Sequence, residues 1–284
     1  MPVALSLAGG FAVGFALRAW LQRYFAVAFR IQFAAGIGSL AVLAGWAFEG
    51  GAGDVAALAL LLAAQLSAVM LGAWLFRRRR DGPVLAFGMF GNPTMWSLPI
   101  AAAALGPRAA VVLVAYDMLT QPRIAVGVRL LRSRAPDRQS ARTALTDYAP
   151  MAGAVAGVVL GRFVEAPDVL PEVVGVAGTV IAASSAVLLG IAWPRERWLR
   201  LGELRLAGKA LALHLTFVPA VLLAASLLGL AIPPALWLLV LGPFPMATLP
   251  FSHLYGYSVA QAACGLALST VVALALLPVA LALL

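Results

Sequence analysis

Long apolar stretches separated by short charged or turn-rich segments run through almost the whole chain. About twenty apolar residues at a rise of 1.5 Å each are enough to cross a bilayer as a helix. The pattern predicts ten spans. Five precede a polar stretch: Val3–Leu17, Ile31–Phe48, Val55–Phe76, Pro83–Leu105 and Ala109–Leu131. Five follow it: Tyr148–Val164, Val173–Trp193, Leu206–Leu230, Ala235–Leu254 and Val259–Leu284. The expected fold is an all-α polytopic membrane protein. Residues 1–132 form a first five-helix repeat, 133–147 a cytoplasmic linker and 148–284 a second, inverted repeat.

The fourth span of each half is interrupted near its middle, by Gly91-Asn92-Pro93 in one and Gly242-Pro243-Phe244-Pro245 in the other. Proline lacks the N–H that a helix interior needs and its ring clashes with the preceding turn, so both helices should break at mid-depth. Backbone freed inside lipid is tolerated only where protein buries it or a wet cavity receives it. A matched pair of interruptions, one per half, is the sequence mark of a transporter's central site; a proline kink in a packed helix is the plainer alternative.

Composition narrows the class. Hydrophobic residues make up 63% of the chain and charged residues 11%, far from the balance of a soluble domain. The formal charge of +9 does not imply nucleic acid, because the arginines lie between apolar spans rather than on one solvated face. The single cysteine, Cys264, excludes an intramolecular disulfide and a cysteine-rich metal site. The start of the chain has no basic segment and no evident cleavage site, and reads as the first span rather than a signal peptide. Loops after spans 1, 3, 5 and 7 hold nearly all the Lys and Arg, including Arg77-Arg78-Arg79-Arg80. The positive-inside rule puts those loops in the cytoplasm and both termini outside, in a plasma or bacterial inner membrane.

Small residues recur at four-residue spacing in the first span of each half: Gly10 and Gly14, then Gly153, Gly157 and Gly161. That spacing lets helix backbones approach closely, within the chain or in a homodimer. Trp20, Trp46, Trp74, Trp193 and Trp198 fall near span ends and read as interfacial anchors. Asp117, Arg123 and His214 are the ionisable residues well inside a span, where charge is expensive and function is the default reading. Gln121 lies one turn from Asp117 on the same face, whereas Arg123 points elsewhere around the helix. A satisfied structural network is the alternative for Asp117 and Arg123, and a hydrogen bond to a neighbouring helix the alternative for His214.

The second half of a broken helix presents free N–H groups, whose partial positive charge attracts anions. Asn92, Pro93 and Thr94 at one interruption and Pro243, Pro245 and Thr248 at the other are the candidate substrate-binding residues, with Arg123 as an added attraction. Asp117, Gln121 and His214 are candidates for proton coupling or gating. No acidic cluster suits a hard cation, and no cofactor is implied.

The run Gly91-Asn92, Leu98-Pro99 and Gly106, then Tyr116-Asp117, resembles the fourth and fifth helices of the auxin efflux carrier family. So do Pro243-Phe244-Pro245, Leu254-Tyr255-Gly256, Leu268-Ser269-Thr270 and Pro278 in the second half. The family includes plant auxin exporters and bacterial permeases proposed for malonate, malate and similar acids. The resemblance implies ten helices in an inverted repeat, with a transport domain from spans 3–5 and 8–10 and a scaffold, often dimeric, from spans 1, 2, 6 and 7. It also implies that Asn92 and Pro243 mark the crossover, and that Asp117 holds the acidic position of span 5. Three places depart from the pattern. Where the family carries a proline in spans 2 and 7, this chain reads Ala34-Ala35-Gly36-Ile37 and Ala183-Ser184-Ser185-Ala186, and Arg123 stands where an uncharged residue is expected.

The expected function is alternating-access secondary transport of small organic anions, with a proton as the candidate coupling ion and the lipid bilayer as surroundings. Alternatives are a carrier like the bile-acid/sodium symporters, a proton antiporter, an intramembrane enzyme acting on a lipid phosphate, and a scaffold that moves no solute. An enzyme would need a nucleophile and base beside basic residues, and neither paired carboxylates nor a Ser/His/Asp spacing is present. The chain is therefore not expected to be an enzyme.

Overall fold

The computed structural model describes residues 2–91, 96–119, 121–133, 149–194 and 200–283, and all secondary structure among them is helical. In the first half, α1 (Pro2–Leu21) passes through a tight turn at Gln22–Tyr24 into α2 (Phe25–Ile31). A π-helical stretch at Gln32–Ile37 leads into α3 (Gly38–Trp46). Then come α4 (Ala52–Leu75), α5 (Gly82–Gly88), α6 (Leu98–Leu105), α7 (Pro107–Leu119) and α8 (Gln121–Ser133). The second half holds α9 (Ala149–Gly161), α10 (Leu170–Ala192), α11 (Leu201–Leu227), α12 (Pro234–Val240), α13 (Thr248–Leu254) and α14 (Val259–Leu283).

Among the described residues, five helical stretches are long and apolar enough to cross a membrane: Ala8–Trp46, Gly53–Leu75, Leu170–Ala192, Leu201–Leu227 and Val259–Pro278. Much of their surface is apolar and exposed, as along Val173, Val176 and Val180 of α10. Such a face suits lipid rather than water, and the chain is a membrane protein. One sequence expectation is corrected. The loop expected at Arg18–Arg30 between spans 1 and 2 is helical, so the backbone runs in helix from Pro2 to Trp46.

The chain forms two compact units. One contains α1–α3, α6, α7, α9 and α10; the other contains α4, α5, most of α8, and α11–α14. In the first, glycines set the helix packing. A Cβ on Gly10 would come within 2.7 Å of Ala183 O, and one on Gly14 within 2.0 Å of Val187 O, so α1 lies backbone against backbone on α10. Gly153, Gly157 and Gly161 face the carbonyls of Gly38, Val42 and Trp46 in the same way, joining α9 to α3. These small-residue faces are thus occupied by helix packing within the chain.

In the second unit, α4 starts with the Gly51 N–H donated to the Asp54 carboxylate (3.1 Å), a negative group matched to the helix N-terminus. After α4 the chain turns sharply: Gly82 lies so close to Phe76 O that a Cβ would sit 2.2 Å from it. Pro83 in the first turn of α5 has the φ that a helix start requires. The Asp81 carboxylate accepts the Ser258 N–H (2.8 Å), tying this turn to the start of α14. Near the other end of α8, the Tyr257 hydroxyl donates to Leu131 O.

Candidate functional site

The second interruption is present as a non-helical segment, Gly242–Ala247, between α12 and α13. Pro243 and Pro245 have no N–H to give, so Phe244 carries the one amide between them. It donates to Ser269 Oγ of α14 at 2.9 Å, and Ser269 in turn donates to Leu266 O at 3.0 Å. One side chain from a neighbouring helix thus satisfies the backbone that the prolines release, as an apolar surrounding demands.

This segment meets the end of α5. The Phe244 ring lies over Gly88 and Gly265; a Cβ on Gly88 would be 2.4 Å from it. Phe251 of α13 packs edge-on against Phe87 with ring centroids 5.6 Å apart. After α5 the chain turns through Gly91, whose φ of +71° suits glycine. Around Gly91 stand the carbonyl of Leu239 (3.4 Å from the position of a Cβ), Gln65 Nε2 and His214 Cε1 (both 3.8 Å). Gln65 of α4 is 1% exposed and His214 of α11 0% exposed. An amide and an imidazole therefore converge on the point where the first interruption begins.

Thr248 is a further buried polar group, at the end of the second interruption. It opens α13 at 1% exposure, and its Oγ1 is buried without a hydrogen-bond partner among the described residues. An unsatisfied buried hydroxyl costs stability, which makes it a candidate to bind something not belonging to the fold. Helix α13 itself has only seven residues, so few peptide dipoles add at its start. The anion attraction expected there from a full half-helix is correspondingly weak. What the site offers is neutral hydrogen bonding in an apolar wall, suited to gripping a small polar solute.

The other expected site residues fall differently. Asn92, Pro93 and Thr94 lie outside the described residues. Gln121 and Arg123 lie in α8, and their side chains lie outside the description. Asp117 is buried in α7, in the first unit; His214, Pro243, Pro245 and Thr248 belong to the second. Sequence reasoning missed Gln65 and the role of Ser269. The signal for Gln65 was there: it is the single amide side chain in a 24-residue apolar helix.

The first unit has a polar cluster of its own. Gln32 Nε2, at the start of the π-helical stretch, donates to Ile181 O (3.1 Å), Ser184 Oγ (2.9 Å) and Ser185 Oγ of α10. Among the described residues, no group of three or more His, Cys, Asp or Glu side chains could hold a metal ion. No family model matches this sequence, and no curated protein is detectably similar to it.

Proposed function

We propose that this chain is a secondary transporter of small organic anions, carboxylates such as malonate, malate or auxin-like acids, built on the plan of the auxin efflux carrier family. In this reading it crosses the membrane ten times as an inverted five-plus-five repeat, with both termini outside and spans 4 and 9 crossing at the interruptions. The solute is held there and exposed to each side in turn. Asp117 carries or gates a proton. The observation that supports this most is the meeting of the end of α5 with the second interruption, where Gln65, His214 and the unpartnered Thr248 hydroxyl are buried inside apolar helices. Polar groups gathered at broken helices at membrane depth are what a carrier needs and a purely structural bundle avoids.

The test is thermal stabilisation of the purified protein by a panel of mono- and dicarboxylates at two pH values, for wild type and Thr248→Val. A ligand that binds the folded state raises the melting temperature by mass action. A selective rise in wild type that is lost in Thr248→Val supports the site. A rise that persists unchanged in the variant moves the site elsewhere, and no rise with any carboxylate overturns the organic-anion reading.

A further inference from the structure

The second unit also contains a cavity of about 980 Å³ where the turn after α4 and the start of α5 meet α11 and α14. Its cationic side chains are Arg79 and Arg80, just past the end of α4, with Arg200, Arg205 and Lys209 at the start of α11. Asp81 and Glu203 are the acidic ones, leaving an excess of three positive charges. One acid is committed to the fold, since Asp81 Oδ1 accepts the Ser258 N–H. Glu203 is bonded to Gln261 Nε2 only through its backbone carbonyl (3.1 Å), and its carboxylate Oε2 is buried without a hydrogen-bond partner among the described residues. Leu85, Leu206 and Ala212 supply an apolar part of the lining.

The cavity sits where two bilayer-length helices, α4 and α11, reach their polar ends. Trp74 in the last turn of α4 is 58% exposed, with the Arg77 guanidinium 4.8 Å from its ring centroid. An exposed tryptophan under an arginine is the side-chain pattern of the membrane–water boundary. Guanidinium groups match phosphate oxygens two at a time, and basic pockets between membrane helices suit anionic headgroups. The volume exceeds what a bare phosphate requires and lies near the top of the usual range for small-molecule sites, about 300–1,000 Å³.

We propose that this cavity binds a phosphate-bearing anion at the membrane surface, the phosphate gripped by Arg80, Arg205 and Lys209 and the rest of the molecule lying along the apolar lining. An anionic phospholipid and a soluble phosphate compound share this chemistry. The test uses the full chain in zwitterionic detergent and follows the melting temperature against short-chain phosphatidylglycerol, short-chain phosphatidylcholine and inorganic phosphate. Variants are Arg205→Gln and Lys209→Gln, with Arg162→Gln as a charge control outside the cavity.

Phosphatidylglycerol should raise the melting temperature saturably, with half-saturation about ten-fold weaker in each cavity variant and unchanged in Arg162→Gln. If inorganic phosphate does not reproduce the rise, the ligand is a lipid headgroup. If it does, and the cavity variants lose it, the ligand is a soluble phosphate. The proposal is overturned if neither stabilises, if phosphatidylcholine works as well as phosphatidylglycerol, or if Arg162→Gln weakens binding as much as the cavity variants do. Both cavity substitutions are at exposed positions, so the variants should fold, and an unliganded melting temperature matching wild type checks this.

Discussion

Ser269 and Thr248 are buried hydroxyls beside the same interruption, yet removing them should have opposite effects on stability. Ser269 Oγ receives the Phe244 N–H and passes its own proton to Leu266 O. Ser269→Ala therefore strands a buried amide between two prolines, where no helical carbonyl can take it over. Leaving a buried donor unsatisfied costs about 1–3 kcal/mol. Hydrogen bonds between membrane helices average only about 0.6 kcal/mol, because alternative partners are found when they are lost. The Phe244 amide is held at a fixed break, so the larger figure applies, and a loss of about 1–2 kcal/mol is expected. At about 2–4 °C per kcal/mol for a chain of 150–250 residues, Ser269→Ala should lower the melting temperature by several degrees. Thr248→Val keeps the shape and removes a hydroxyl that has no partner among the described residues, so the melting temperature should hold or rise. The assay is thermal unfolding in one detergent without solute, with Ser252→Ala as control, since Ser252 bonds the Thr248 carbonyl within its own helix. If Ser269→Ala is neutral, or Thr248→Val loses as much as Ser269→Ala, this account of the interruption fails.

Other substitutions probe the packing and the proposed coupling. Gly14→Ala pushes α1 off Val187 O and should cost about 1–3 kcal/mol or more, the range for overpacking. Gly9→Ala, with nothing within 4 Å of its Cβ, should be neutral or slightly stabilising through helix propensity, and comparing the two melting temperatures checks this. Gly88→Ala drives the Phe244 ring from its seat; Phe244→Leu should restore part of the loss, which a double-mutant cycle on melting temperature would read as coupling. Asp117→Asn should flatten the pH dependence of transport more than it weakens solute binding. An unchanged pH profile in a flux assay removes Asp117 from proton movement.

The interruption at Pro243 and Pro245 was legible because proline has a local, unconditional effect on backbone hydrogen bonding. Helix content and membrane character were legible for a similar reason: they depend on summed apolarity, which a linear pattern records. The segment 18–30 was misread because arginine looked like loop. In the helix its long side chain finds aromatic faces instead, Arg18 over Phe15 at 5.5 Å and Arg23 over Tyr24 at 4.7 Å, and aliphatic stems carry charge along a helix to its polar end. The glycine spacing predicted close helix approach, but not which helix approaches. Pairing α1 with α10 and α3 with α9 depends on tertiary packing that residue spacing does not encode. The convergence of Gln65 and His214 on Gly91 is of the same kind, since each looks isolated in its own span.

Where the regular helix fails, both units use the same remedy: a hydroxyl or amide inserted from an adjacent helix. In the second unit Ser269 takes the amide between the two prolines. In the first, the π-helical stretch Gln32–Ile37 begins at Gln32, which reaches across to the Ile181–Ser185 turn of α10. Here Ser185 bonds Ile181 O at 2.7 Å and Ser184 bonds it at 2.9 Å, while Gln32 reaches the same carbonyl from α2's end. Serine bonding back along its own helix loosens and bends it, and π-bulges mark helices that carry local irregularity for function. Two locally irregular helices are therefore joined through Gln32. Gln32→Leu would remove that junction while leaving the serine back-bonds in place. If the irregularity serves movement, the variant should fold with altered transport rate. A variant that transports at the wild-type rate would make the cluster a matter of packing alone.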